Sequence, residues 1–298
     1  MENLDGLILR AKSMSGKRVS LAGANEADSL LALERARSEG IAGGVLVGNS
    51  DSIAEIAAKN GIDIGNYEIV DVRSEKDCSR KAVEIVRDGG ADVLMKGLVS
   101  TADFMRAILD KERGLMASKL LSHVALFEVP LYHKLLSVTD VAINIAPTLE
   151  EKATIISNAV EILQKIGIAE PKVACVCAVE KVNPGKMPCT EDAAILAGMN
   201  RSGQITGCIV DGPYGLDNAV DIEAAKLKGI KDIVAGDADL ILCPNIESAN
   251  ILYKSLAYLA GCTCGAIVVG TSAPVILTSR ADSDATKFAS LALGIAAS

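Results

Sequence analysis

Residues 91–106 read ADVLMKGLVSTADFMR. An apolar run closes on Lys96, and Gly97 permits a turn. Ser100-Thr-Ala-Asp103 then has the spacing of a helix cap in its acidic form. The stretch predicts a short buried strand, a loop and a helix in direct succession. The same order recurs along the chain. Strands are expected at 19–23, 44–47, 124–128, 138–145, 172–178, 206–211, 239–243, 266–269 and 275–278. Helices are expected at 26–38, from a cap at Asp51 to Gly61, and at 74–88, 148–166, 191–199, 217–228, 249–259 and 283–297. This alternation predicts an α/β protein of mostly parallel sheets with helices on both faces. A sheet of about ten strands is larger than most, so two α/β domains with a cleft between them are expected.

Composition agrees and excludes several function classes. Half of the 298 residues are hydrophobic, yet there are only three Phe, five Tyr and no Trp. The core must therefore be aliphatic, as buried parallel strands usually are. Net charge is −8 with no basic block, which argues against nucleic-acid binding. Cys175/Cys177 and Cys262/Cys264 are C-x-C pairs inside apolar runs. They read as small core residues, because zinc sites favour wider pairs with further ligands nearby. Scattered thiols and a polar N-terminus without signal-peptide character lead to the expectation of a cytoplasmic protein. The uncharged stretch 255–279 is broken by Gly261, Gly265, Gly270 and Pro274, so it reads as a helix end and two strands, with no membrane span.

In open α/β sheets ligands bind beyond the carboxyl ends of strands, where helix N-termini attract anions. Four such ends carry polar groups. Lys96, Ser100, Thr101 and Arg106 could cradle an anion, or could be a capped surface helix with a solvated arginine. Asp211 and Gly212 end a strand before Pro213, with Asp217 as the cap of the next helix. Asn250, Tyr253 and Lys254 lie on one helix, Asn250 and Lys254 on the same face. Thr278, Ser279 and Arg280 end the last strand, with Asp282 or Ser283 able to cap the final helix and Asp284 in its first turn. There is no G-x-x-x-x-G-K-[ST], no G-x-G-x-x-G after a strand and no G-x-S-x-G. Only two histidines exist: His123, expected to be structural, and His133, expected at the surface.

Six segments taken in order resemble one family. They are MKGLVSTADFMRAIL, LLSHVALFE, VEKVNPGKMPCTEDA, DGPYGLDNAV, AGDADLILCPNIESANILYKSLAYLAG and PVILTSRADSDATK. Together they resemble the phosphate acetyl/butyryltransferases, most closely the phosphate butyryltransferase branch. The resemblance implies reversible transfer of an acyl group between CoA and phosphate, with both as substrates and no tightly bound cofactor or metal. It implies a two-domain fold like isocitrate and isopropylmalate dehydrogenases, with residues 1–136 plus 268–298 in one domain and 137–267 in the other. It also implies a homodimer or higher homo-oligomer, with no nucleic-acid or membrane partner. Within it, Ser279 is expected to meet the CoA sulfur and Arg280 the phosphate. Arg106, Asp211-Gly212 and Asn250, Tyr253 and Lys254 match further site positions. The acetyltransferase relatives carry a catalytic Asp where this chain has Thr286, so Asp284 or Asp282 is the candidate base. Other readings are an acetyl-CoA-specific enzyme, a metal- and NAD-dependent decarboxylating dehydrogenase, or a catalytically silent CoA-binding protein.

Overall fold

The structure is a computed structural model and describes residues 1–277 and 282–298. The chain begins with α1 (Leu4–Ser13), β1 (Arg18–Ala22), α2 (Ala27–Ser38), β2 (Gly43–Gly48), α3 (Ser50–Lys59), β3 (Glu68–Asp71), α4 (Glu75–Arg87), β4 (Val93–Lys96) and α5 (Thr101–Ile108). It continues through β5 (Ser122–Glu128), β6 (Leu136–Thr139), α6 (Leu149–Lys165), β7 (Lys172–Val176), α7 (Pro188–Arg201), β8 (Ile209–Tyr214), α8 (Leu216–Val220), α9 (Ile222–Leu227), β9 (Leu240–Leu242) and α10 (Ile246–Lys254). It closes with β10 (Thr263–Val269), β11 (Val275–Ile276) and α11 (Asp284–Ala296).

These elements form two compact units. One comprises Leu4–Lys119 and Gly265–Ser298, the other Met1–Asn3 and Leu120–Cys264. In the first, strands run in the order β3-β2-β1-β4-β11-β10, parallel except for the β10–β11 pair. In the second the order is β5-β6-β9-β7-β8, with only β5–β6 antiparallel. Residues 120–136 thus belong with the second unit, earlier than the crossing at 136/137 that the resemblance implies, because β5 pairs with β6.

The core is aliphatic. Val19, Leu21, Leu46, Val93, Leu94 and Met95 are sealed within the first unit, and Val138, Val173, Leu240 and Ile241 within the second. The helix starts follow local side-chain chemistry. Ser74 accepts the Asp77 N–H, Ser100 the Asp103 N–H and Ser283 the Thr286 N–H, while Thr148 and Glu151 form a reciprocal capping box.

Four local expectations are corrected. α3 is capped by Asn49, with Asp51 inside its first turn. The strand expected at 138–145 stops at Thr139, because Asp140 turns its carboxylate onto the backbone that follows. Asp140 accepts N–H groups from Ala142, Ile143 and Asn144 at 3.0–3.1 Å, and from His123 at 3.2 Å. Backbone committed to one carboxylate cannot also extend a ladder. Pro213 does not end β8: the strand runs on to Tyr214, whose carbonyl accepts the Cys177 N–H at 2.7 Å. β8 is last in its unit's strand order, where a proline's missing donor is tolerated. The helix expected from Asp217 splits into α8 and α9, whose caps are Gly215 and Asp221.

His123 is fully buried, and its Nδ1 has no hydrogen-bond partner. Burial pushes its imidazole from the ordinary 6.5 down to about 4, against the opposing pull of Asp140. The unfolded chain therefore binds a proton between those values that the folded chain does not. Stability from neutral His123 is full above pH 6.5 and is lost as pH falls toward 4. Thermal melts of His123→Gln should show a flatter pH dependence in that window than the unsubstituted protein. Asp140→Ala should lower stability by about 3 kcal/mol at neutral pH in urea unfolding, since four backbone donors lose their acceptor.

Candidate active site

The residues singled out in the sequence fall into two groups, one in each unit. In the first unit the loops after β1 and β4 lie against each other. Gly97 N–H donates to Ala22 O, and Leu98 N–H donates to Gly23 O, both at 2.8 Å. A Cβ on Gly97 would stand 2.5 Å from Gly23 O, and a Cβ on Gly23 would stand 2.5 Å from Leu98 O. Gly23 also has φ of +70°, which side-chain-bearing residues rarely adopt. Lys96 ends β4 nearly buried, its Nζ donating to Gly97 O at 3.1 Å. The ammonium is thus held where the strand ends and the next helix begins.

Ser100 caps α5 and Thr101 is its first residue. The Ser100 hydroxyl accepts from Asp103 N–H and donates to the Asp103 carboxylate, both at 3.1 Å. Arg106, one turn on, pairs with that same carboxylate while two thirds of its side chain stays exposed. An exposed i,i+3 pair is worth little, so an incoming phosphate can compete for the guanidinium at small cost.

In the C-terminal segment of this unit, Ser283 caps α11 and Asp284 occupies its first turn, exposed. Asp282 precedes the cap, and Thr286 is buried beneath it, its hydroxyl 3.2 Å from that of Ser283. The helix is fixed by Lys287, which is buried and pairs with Asp28 at 2.9 Å. Ser290 holds it further, accepting the Ala266 N–H at 3.0 Å and donating to Thr286 O at 2.7 Å. The expected handles Thr278, Ser279 and Arg280 lie outside the described residues.

In the second unit α10 carries Asn250, Tyr253 and Lys254. The Asn250 amide donates to Val141 O at 3.1 Å, tying the helix to the Asp140 turn. Tyr253 is buried edge-on to Phe127, with ring centroids 5.5 Å apart. The Lys254 ammonium is exposed at 5.1 Å from the rings of both Tyr253 and Tyr258. The two rings set the direction of this lysine.

Asp211 and Gly212 sit on β8 of the same unit. Gly212 N–H donates to Asp211 Oδ1 at 2.8 Å, and a Cβ on Gly212 would stand 2.7 Å from Cys175 O. Burial first, and the nearby Asp232 charge second, raise the Asp211 carboxyl above its usual range. In the same unit, the Lys228 ammonium reaches Glu180, Asp217 at 3.0 Å and the Asn218 carbonyl at 3.1 Å. Burial weakens the nucleophilic character of two thiols near the strand ends of this unit. Burial pushes Cys177, which also contacts Cys189, and Cys243 up to about 12. All eight cysteines are free, and among the described residues no group of three or more His, Cys, Asp or Glu could hold a metal ion.

Residues 73–295 match the family model described as phosphate acetyl/butaryl transferase. The chain is 50% identical over 293 residues to the phosphate butyryltransferase of Clostridium acetobutylicum, covering 98% of this chain and 97% of that one. The chain belongs to this family. It is also 44% identical to the phosphate acetyltransferase of Thermotoga maritima over 290 residues, 97% of this chain and 98% of that one. Among solved structures, a branched-chain phosphotransacylase from Enterococcus faecalis superposes with a TM-score of 0.84 at 33% identity, covering 94% of this chain and 98% of that one.

Within this family frame, Thr286 is a buried helix-cap partner and supplies no carboxylate. The acidic groups adjoining it, Asp282 and Asp284, flank the cap residue itself. Sequence reasoning missed a row of cationic side chains on α4, lying across from Arg106 on α5. The Gly23–Gly97 approach makes a direct prediction. Gly97→Ala should destabilise the first unit by about 1–3 kcal/mol, because its Cβ meets backbone that cannot yield as a side chain would. It should also shift Lys96 and the start of α5. Urea unfolding with intact m-value, alongside acyl-transfer rates, would separate the two effects.

Proposed function

We propose that this chain transfers a short acyl group, butyryl, between CoA and inorganic phosphate. Support comes above all from the 50% identity to a phosphate butyryltransferase along nearly the entire length of both chains. The likeness to an acetyltransferase keeps acetyl-CoA as the second reading.

In the direction of acyl phosphate formation, a phosphate oxygen attacks the thioester carbonyl carbon. The carbonyl oxygen takes up negative charge, then the C–S bond breaks and the thiolate leaves. This chemistry needs placed donors and no covalent nucleophile. Arg280 and Arg106 hold phosphate and offset its charge. Ser279 donates to the leaving sulfur or to the carbonyl oxygen. In the opposite direction Asp284 or Asp282 accepts the thiol proton as sulfur attacks the acyl phosphate. Lys96, Ser100, Thr101 and Thr278, with Asp211, Gly212, Asn250, Tyr253 and Lys254, bind the substrates. No metal or tightly bound cofactor enters these steps. The same proposal includes an isocitrate/isopropylmalate dehydrogenase-like arrangement whose cleft closes over the acyl phosphate and excludes water.

The setting is cytoplasmic in this proposal. No described helix is long and apolar enough to cross a membrane. The assembly is a homo-oligomer, and Ile251, Tyr258 and Leu259 stand exposed along α10 and the turn after it, where a second copy would cover them. Sedimentation analysis of Leu259→Asp against the unsubstituted chain tests that surface.

Thiol release from acetyl-, butyryl- and branched acyl-CoA, with and without phosphate, tests the activity. Phosphate-dependent release that is fastest with butyryl-CoA is expected. Release independent of phosphate, or none with any thioester, would sink the proposal. Arg280→Ala should lower kcat/KM for phosphate on the order of 100-fold or more, and wild-type rates in that variant would place the phosphate elsewhere. Asp282→Asn and Asp284→Asn, compared in the CoA-consuming direction, identify the base by which one loses rate at neutral pH.

A further inference from the structure

The segment VEKVNPGKMPCTEDA, residues 179–193, carries part of the family resemblance, yet the proposed acyl transfer draws no residue from it. It forms the loop after β7 and the start of α7. Residues 181–186 all stand exposed. The base of the loop is fixed by polar contacts. Cys177 N–H donates to Tyr214 O at 2.7 Å, and the Glu180 carboxylate pairs with Lys228. On the other arm Met187 N–H donates to Asn183 O at 3.1 Å. Thr190 Oγ1 accepts the Asn183 N–H at 2.9 Å and donates to Met187 O at 2.8 Å. The two ends of the loop are therefore held before any covalent bond joins them.

Two thiols stand at this base. Cys177 directly follows β7, and Cys189 is the second residue of α7. Their side chains are in hydrogen-bond contact. Both are half-buried, so a small reagent in solvent can reach them. Cys175 and Cys243 are buried, and line a small cavity together with Cys189, Asp192 and Lys152. Asp192 lies one turn after Cys189 on the same face of α7 and pairs with the buried Lys152 at 2.6 Å. The Lys152 ammonium thus sits beside the thiols. Burial, and then the Cys189 partner, hold the Cys177 thiol up at about 12, while the Lys152 charge pulls the other way. Cys177 is therefore protonated at neutral pH, and an oxidant meets Cys189 first.

We propose that Cys177 and Cys189 form a reversible disulfide site, closed by peroxide, that ties the end of β7 to the start of α7. The Cys189 thiolate attacks one peroxide oxygen, the O–O bond breaks and hydroxide leaves, giving a sulfenic acid. The Cys177 sulfur then attacks the Cys189 sulfur. The S–S bond forms, the S–O bond breaks, and hydroxide departs as water with the Cys177 proton. Two thiols and one peroxide give one disulfide and two waters. Oxidation removes the neighbouring thiol that opposed ionisation of Cys177, and leaves Lys152 to favour its thiolate as it attacks. Little chain entropy opposes closure, because the loop is short and its ends already touch. In a reducing compartment such a bridge is transient, and a dithiol reopens it.

Intact-mass measurement of the full chain after hydrogen peroxide should show the loss of two hydrogens, restored by dithiothreitol. Trypsin cuts after Lys181 and Lys186 inside the exposed loop. The peptides carrying Cys177 and Cys189 should stay joined until reduction, with fragmentation placing the bond at Cys177 and not at Cys175. Cys177→Ser should abolish the bridge and leave Cys189 as a sulfenic acid that dimedone traps. Cys189→Ser should abolish it and leave Cys177 unlabelled. Cys78→Ser, on α4 of the first unit, should bridge as the unsubstituted chain does. No mass loss, a bond between two chains, or a bond to Cys175 or Cys243 would overturn the assignment. Peptide mapping of the unsubstituted chain decides this even where a variant fails to fold, and none of these readouts depends on acyl transfer.

Discussion

Two glycines set the geometry of the first unit. The backbones at Gly23 and Gly97 approach so closely that either Cβ would stand 2.5 Å from a carbonyl oxygen of the other loop. This contact brings the ends of β1 and β4 to a common level. It also fixes where Lys96 leaves the sheet and where Ser100 starts α5. A sheet alone would leave those loops free to splay. Paired hydrogen bonds of 2.8 Å between the two loops remove that freedom, so the cationic end of β4 and the donor end of α5 keep a fixed spacing.

The second unit uses a different device for the same purpose. Asp140 collects the backbone of its own turn, and Asn250 fastens α10 to that turn through Val141. Tyr253 is then wedged against Phe127 on β5, and Lys254 faces outward between two rings. A carboxylate buried among N–H donors, with an imidazole beside it that burial keeps neutral, forms a polar centre of this unit. Its stability depends on pH in the direction set by His123, which resists protonation.

Much of this was legible in the sequence, and the reasons are local. Ser74, Ser100, Thr148 and Ser283 cap their helices because a hydroxyl three residues before a backbone N–H needs no tertiary help. The strand expected at 138–145 failed because the N–H groups of Ala142, Ile143 and Asn144 belong to the Asp140 carboxylate. Pro213 read as a stop because edge position is a property of the sheet and is invisible in the chain. For the candidate site, Lys96 and Arg106 were visible as residues at a strand end and on a capped helix. The row at Lys76, Arg80 and Arg87 was present in the spacing too. Its significance depended on α5 lying opposite, which only tertiary packing supplies.

The interleaved layout of the chain has a consequence for synthesis. The first unit takes Leu4–Lys119 from the early chain and Gly265–Ser298 from the end, and α11 fills its core with residues such as Phe288, Leu291 and Ile295. The second unit lies almost entirely between them, at Leu120–Cys264. On a ribosome, where domains generally fold as they emerge, the middle of this protein is complete while its beginning still waits for a partner. The early segment must hold its apolar strands through translation of the intervening unit, exposed to chaperones and to neighbouring nascent chains. Order of completion and order of sequence therefore differ here, and α11, after the middle unit, is the helix that closes the fold begun before it.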